Sequence, residues 1–194
     1  MNTPNKLTVG RMIATPIFMA TMLINFPYHY AVSLVLFIVA SLTDMIDGKM
    51  ARKYNLVTDF GKFMDPLADK MLTTSAYLGF MFIYGGTKFS WHIVVITFIV
   101  LFREFAVTSV RLVAATKGTV VAANMWGKAK TVSQMVAIIV TLLLLIILQI
   151  SGNSSLWFVF GIIINVVVWI SVILTVISGV VYLKDNADLY KTAK

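Results

Sequence analysis

Cysteine is absent from the 194 residues, which excludes disulfides, thiolate metal sites and a cysteine nucleophile. A metal bound here must therefore take oxygen or histidine ligands. Charge is scarce as well: 12% of the residues are Asp, Glu, Lys or Arg, against about 25% in an ordinary soluble domain. The amino-terminal stretch Asn2 to Thr8 is polar and lacks the basic start, apolar run and small-residue cleavage site of a secretory signal, so no processing is expected. What is plentiful is hydrocarbon. Hydrophobic residues make up 59% of the chain and the mean hydropathy is +0.90, the composition of a membrane protein. Acidic residues number 8 against 16 basic ones, a net charge of +8. In a soluble protein that balance would suggest nucleic acid. In a membrane chain it reports topology and anionic ligands, and no nucleic-acid partner is expected.

A membrane-crossing helix takes about 20 apolar residues, fewer where its polar end is buried or lines a cavity. Six segments qualify, at about 10–25, 31–53, 62–84, 91–115, 129–150 and 156–183. Turn residues separate them: Pro27, Gly85-Gly86, Lys117-Gly118 and Gly152-Asn153. The expected fold is an all-α integral membrane protein, one domain over residues 1–194 built as a six-transmembrane-helix bundle. An even number of spans puts both termini on one side. Lys6, Arg11, Lys49, Arg52, Lys53, Lys62, Lys117, Lys128, Lys130, Lys184, Lys191 and Lys194 all fall on that side, and the opposite loops hold only Lys88. The positive-inside rule makes the terminal side cytoplasmic, in a multi-pass protein of the cell membrane. His29 and His92 lie on the other side and read as interfacial residues rather than ligands.

Helices one to four differ from five and six in carrying charge at depth. From Ala31 to Thr43 the apolar run is 13 residues, about 20 Å of helix against a hydrocarbon core of about 30 Å, so Asp44 falls within the slab. Arg103 and Glu104 interrupt helix four in the same way, whereas Val132 to Ile150 and Leu156 to Leu183 hold no charge. Buried charges face a cavity or one another. Helices one to four are therefore expected to enclose a polar cavity open to the cytoplasm, with five and six as lipid-facing or partner-facing walls.

Four aspartates form two pairs, Asp44 with Asp47 near the end of helix two and Asp65 with Asp69 near the start of helix three. At 100° per residue Asp44, Asp47, Gly48 and Ala51 share a sector, and Gly61, Asp65 and Asp69 form an i, i+4 stripe. Antiparallel helices would bring the stripes face to face. Four carboxylates so placed could not all stay ionised without a cation, and one or two divalent ions resolve the conflict. An oxygen-only ligand set points to Mg²⁺ or Mn²⁺, ions that also bind substrate phosphates. A structural ion-pair network or a cation pathway is the competing reading of the aspartates. The small residues Gly48, Ala51 and Gly61 suit either close helix packing or, beside Arg52, a gap for a flat nucleotide.

Arg11, Lys62, Arg103, Arg111, Lys128 and Lys130 map to the cytoplasmic ends of helices one, three, four and five. A neutral acceptor would not need so many cations, while a phosphomonoester would be held by Arg forks and a Lys. Snorkelling to headgroups is the alternative for Lys62 and Lys130. Arg111 and Lys128 are the leading candidates for the acceptor phosphate, with Arg11, Arg103 and Lys130 behind them.

The run Asp44-Met-Ile-Asp47-Gly48-Lys-Met-Ala51-Arg52, then eight residues, Gly61, three residues, Asp65, three residues and Asp69 resembles in full the signature of the CDP-alcohol phosphatidyltransferases. Members of that family transfer a phosphatidyl group from CDP-diacylglycerol to an alcohol and release CMP, and are small six-helix membrane proteins. The resemblance implies two metal ions per active site, one on Asp44, Asp47 and Asp65 and the other on Asp44, Asp65 and Asp69. It makes Asp69 the base for the acceptor hydroxyl. It implies nucleotide contacts from Gly48, Ala51, Arg52, Thr58 and Gly61, an amino-terminal segment around Asn5 and Thr8 that closes over the nucleotide, and a homodimer.

Arg103-Glu104-Phe-Ala-Val-Thr-Ser-Val-Arg111 and Gly127-Lys128-Ala-Lys130-Thr131-Val-Ser-Gln134, with the opening Pro4-Asn5-Lys6-Leu7-Thr8, are similar to the branch whose acceptor is sn-glycerol 3-phosphate. Inositol phosphate, serine and phosphatidylglycerol are the other acceptors to weigh. From different classes, an intramembrane prenyltransferase fits poorly with so short a chain, and a cation transporter leaves Gly48, Arg52 and the basic residues without purpose.

Overall fold

The computed structural model describes residues 3–53, 59–88, 90–116, 125–153 and 155–187, without the side chains of 3, 4, 45, 47–53, 59, 60, 62, 63, 65, 66, 69 and 116. These residues form six helices: α1 (Thr3–Leu23), α2 (His29–Lys53), α3 (Asp59–Ile83), α4 (Ser90–Thr116), α5 (Met125–Ser151) and α6 (Leu156–Asp185). No strand occurs among the described residues. The short links turn where the backbone allows it. Gly86 (φ 79°) and Gly152 (φ 60°) take the left-handed conformation, as does Tyr28 (φ 61°) before α2, a strained choice for a residue with a side chain. The expected turn at Lys117-Gly118 lies outside the described residues.

In space the helices follow the order α1, α2, α5, α6, α4, α3 and back to α1, a closed ring in which each helix packs on its two neighbours. α1 is wedged between α2 and α3, which barely touch each other. Among the described residues α1 therefore packs on both α2 and α3, while the expected meeting of the two aspartate stripes falls on side chains outside the described residues. α1 also starts at Thr3, well before the expected boundary near residue 10. Its first turns carry a stripe of buried polar residues, Asn5, Thr8, Arg11 and Thr15, at helical spacing. A hydropathy reading treats such residues as a loop because it assumes that helix faces meet lipid. Pro16 sits inside α1 and has no N–H to donate to the Met12 carbonyl one turn back; the neighbouring Thr15 Oγ1 donates to the Arg11 carbonyl at 2.9 Å.

Two kinds of interior divide the ring along its axis. In the half away from the termini, Phe18, Met22, Phe37, Tyr77, Phe80, Ile96, Ile138, Leu142, Ile164 and Val168 form one apolar core. Gly79 admits Met22 there, since a Cβ at that position would lie 2.6 Å from Met22 Cε. In the half nearer the termini the buried residues include Arg11, Glu104, Lys130, Gln134, Thr175 and Ser178. The outer surface is apolar, with Ile17, Val35, Phe82, Phe98, Phe102 and Ile147 all exposed, an arrangement stable only against lipid or another apolar surface. Three of the helices, α4, α5 and α6, are long and apolar enough to cross a membrane, and α2 contributes a shorter apolar segment over His29–Asp44.

Candidate active site

The described positions of the expected site lie in the terminal-side half of the ring. Asp44 comes near the end of α2, on the flank of α1, and Arg11 Nη1 of α1 donates to Asp44 Oδ1. Arg11 is 2% exposed, while the Asp44 carboxylate is about one-third open, with a side-chain exposure of 34%. Of the four aspartates Asp44 alone has a described side chain. Asp47, Gly48, Ala51 and Arg52 lie on the last turns of α2, and Lys62, Asp65 and Asp69 on the first turns of α3, with their side chains outside the described residues. Thr58 lies outside them altogether. Gly61 is buried in the first turn of α3. Among the described residues no three metal-ligating side chains gather. Asn5 and Thr8 are buried on α1, in line with Arg11, so both belong to the wedge between α2 and α3.

A second polar cluster fills the ring interior between α4, α5 and α6. Lys130 Nζ donates to Glu104 Oε1, and Arg103 Nη1 donates to the same oxygen at 3.1 Å. Arg103 Nη2 reaches Ser178 Oγ of α6 at 2.7 Å. Its stem crosses α6 at Gly179, where a Cβ would lie 2.9 Å from Arg103 Cγ. Thr108 Oγ1 donates to the Glu104 carbonyl at 2.7 Å and accepts from Lys70 Nζ of α3. Gln134 Nε2 of α5 donates to Thr175 Oγ1 of α6 at 3.2 Å. Both members of a buried ion pair have lost their water, and the remaining hydrogen bonds make that tolerable.

Of the six cations expected around the acceptor, the five whose side chains are described have different surroundings. Arg11 is on Asp44, and Arg103 and Lys130 are on Glu104. Arg111 is exposed, with its guanidinium 5.5 Å above the Tyr182 ring and Nε 3.4 Å from the Tyr182 hydroxyl. Lys128 is also exposed, on an outer groove of about 600 Å³ lined by Val132, Val136, Val167 and Ile170. Lys128 and Lys130 are two residues apart, hence about 200° apart around α5, and they serve opposite faces. Arg111 thus has Tyr182 of α6 as its neighbour, and Lys128 borders the outer groove.

The polar side of α6 is a feature the sequence reading missed. That helix is free of charge from Leu156 to Leu183 as expected, yet it is more than a wall. Ser171, Thr175 and Ser178 are fully buried at i, i+4 and i+7, a stripe whose period signals an inward polar face. Glu104, first read only as an interruption of helix four, is the anchor for two cations.

A profile of the CDP-alcohol phosphatidyltransferase family matches residues 1–179. The chain belongs to this family. Among curated relatives it is 40% identical to CDP-diacylglycerol–glycerol-3-phosphate 3-phosphatidyltransferase of Bacillus subtilis, over 99% of this chain and 98% of that protein. It is 35% identical to the enzyme of the same name from Rickettsia bellii, over 94% of each. It is 36% identical to the probable phosphatidylglycerophosphate synthase of Mycobacterium tuberculosis, over 99% of this chain and 87% of that protein.

Proposed function

We propose that the chain transfers the phosphatidyl group of CDP-diacylglycerol to sn-glycerol 3-phosphate, giving phosphatidylglycerol phosphate and CMP. The observation that carries this reading is the likeness, along nearly the whole chain, to relatives named for that reaction, joined to the Arg11 guanidinium paired with Asp44 near the end of α2. In the reaction an acceptor hydroxyl oxygen forms a bond to the lipid-side phosphorus while the bond from that phosphorus to the CMP oxygen breaks. CMP leaves with the bonding electrons, and Asp69 takes the hydroxyl proton.

The carboxylate-only donor set, with Asp44 already facing a positive group, fits hard divalent cations. Asp44, Asp47, Asp65 and Asp69 would hold two of them, Mg²⁺ or Mn²⁺, whose chemistry is charge compensation at the pyrophosphate. Gly48, Ala51, Arg52, Thr58 and Gly61 would border the nucleotide, with Asn5 and Thr8 closing it from α1. Arg111 presents its guanidinium on an aromatic ring near the end of α4, a geometry that leaves the outer nitrogens for a phosphate. Six spans with both termini and the site mouth cytoplasmic, in the cell membrane, complete the reading, and a homodimer is its assembly.

An acceptor panel tests it. Purified protein with CDP-diacylglycerol and Mg²⁺ is offered glycerol 3-phosphate, serine, inositol, inositol phosphate and phosphatidylglycerol in turn, and CMP release is measured. Release with glycerol 3-phosphate is expected. Release only with another acceptor would overturn the assignment.

A further inference from the structure

Arg11 occupies an unusual position. A guanidinium keeps its charge at any physiological pH, yet this one is 2% exposed and hydrogen-bonded to Asp44 across the α1–α2 boundary. The carboxylate it neutralises is the more open partner, about one-third exposed on its side chain. Asp44 begins a row of aspartate positions near the end of α2, at the same end of the ring as positions 65 and 69 near the start of α3. Such a row is unstable unless positive charge is supplied. α1, wedged between these two helices, supplies it from its own side chain.

We propose that Arg11 is an internal counter-cation for Asp44, displaced when divalent ions load the site and then turned toward its open side as an anion-binding group. The inference rests on the metal reading given above and adds a competition to it. The same Asp44 oxygen cannot be fully committed both to a guanidinium and to a metal ion, so each lowers the affinity of the other, and by linkage the effect is reciprocal. Loading of the cations and release of a guanidinium suited to a phosphate would then be one event. An acceptor phosphate would gain its arginine only once the metal is in place.

The test uses the full chain in detergent, without substrates, and reads Mn²⁺ binding by electron paramagnetic resonance. Arg11→Gln is expected to bind Mn²⁺ on the order of tenfold more tightly than the wild type, the scale of one charge-assisted contact. Arg11→Lys, which keeps the charge, is expected to stay near the wild type. Metal-free Arg11→Gln should melt below the wild type, and saturating Mn²⁺ should close that gap. A second measurement needs no variant: phenylglyoxal labelling of Arg11 in the wild type, followed by peptide mass spectrometry, should accelerate several-fold on addition of Mn²⁺. Equal or weaker Mn²⁺ binding in Arg11→Gln, or unchanged labelling, overturns the displacement and leaves the metal reading intact. Absence of Mn²⁺ binding to the wild type overturns both.

Discussion

Lys130 of α5 bonds Glu104 of α4 across the interior of the ring, although α4 and α5 are not ring neighbours and α6 lies between them. The pair is a strut through the polar half of the molecule. With Arg103 on the same carboxylate oxygen, Glu104 carries two cations, Lys130 buried and Arg103 half-buried.

Glu104→Gln should therefore be among the most damaging single changes outside the aspartates, because it leaves Lys130 and Arg103 beside a neutral amide. Breaking one side of a buried pair costs about 3–5 kcal/mol, visible as a lower melting temperature in detergent. The double variant Glu104→Gln/Lys130→Met should recover part of the loss. A double variant no more stable than the single one would mean that the pair does not couple.

Asp44→Asn and Asp65→Asn should each abolish CMP release, since an amide cannot supply the charge that either position brings to a shared cation. Their metal-free stabilities should differ. Asp44→Asn removes the carboxylate from Arg11 and should melt below the wild type, while Asp65→Asn, which relieves like-charge crowding, should melt at or above it. Turnover like that of the wild type in either variant would remove the two-metal reading.

Arg111→Ala should raise the apparent KM for glycerol 3-phosphate on the order of tenfold to a hundredfold, with little change in CMP binding. Lys128→Ala, on the outer groove, should change that KM less than twofold. Steady-state kinetics with each substrate varied in turn separates the two. The opposite ranking would place the acceptor phosphate at the groove.

Gly179→Ala should drive a Cβ to 2.9 Å from Arg103 Cγ, displacing the guanidinium from Ser178. Overpacking of this kind costs about 1–3 kcal/mol, read as a melting shift. Gly10→Ala, where an added Cβ meets nothing within 4 Å, is the matched control and should be nearly silent.

Topology can be read directly because the chain has no cysteine. Single cysteines at Asn55 and Lys191 should react with impermeant maleimides only from the cytoplasm, and one at Ser154 only from outside. Labelling of Asn55 from outside would put the site mouth on the wrong side for cytoplasmic nucleotide.

Helix existence was legible from sequence because most apolar runs are bounded by residues whose backbone preferences mark turns, as at Gly86 and Gly152. The start of α1 was not legible. Asn5, Thr8 and Arg11 pack against protein rather than lipid, and hydropathy cannot distinguish a polar helix face that is buried in a site from a polar loop. Ring order was hidden for a related reason: a polar stripe such as Ser171, Thr175 and Ser178 of α6 marks an inward face without saying which helix it meets. That Arg103 and Glu104 face the interior was readable, since charge in a membrane segment has few tolerable surroundings. Which cation faces which carboxylate required coordinates, except that Lys128 and Lys130 could never share one face of a helix.

The place of α6 between α4 and α5 sets an order on biosynthesis. Arg103 and Gln134 find their hydroxyl partners, Ser178 and Thr175, on a helix that leaves the ribosome after their own. Until it inserts, the ring is an open horseshoe, and the Glu104 strut has hydrocarbon or water on one flank. Burial of Arg103, Glu104 and Gln134 therefore depends on the last described helix of the chain, which alone completes the enclosure that the five preceding helices leave open.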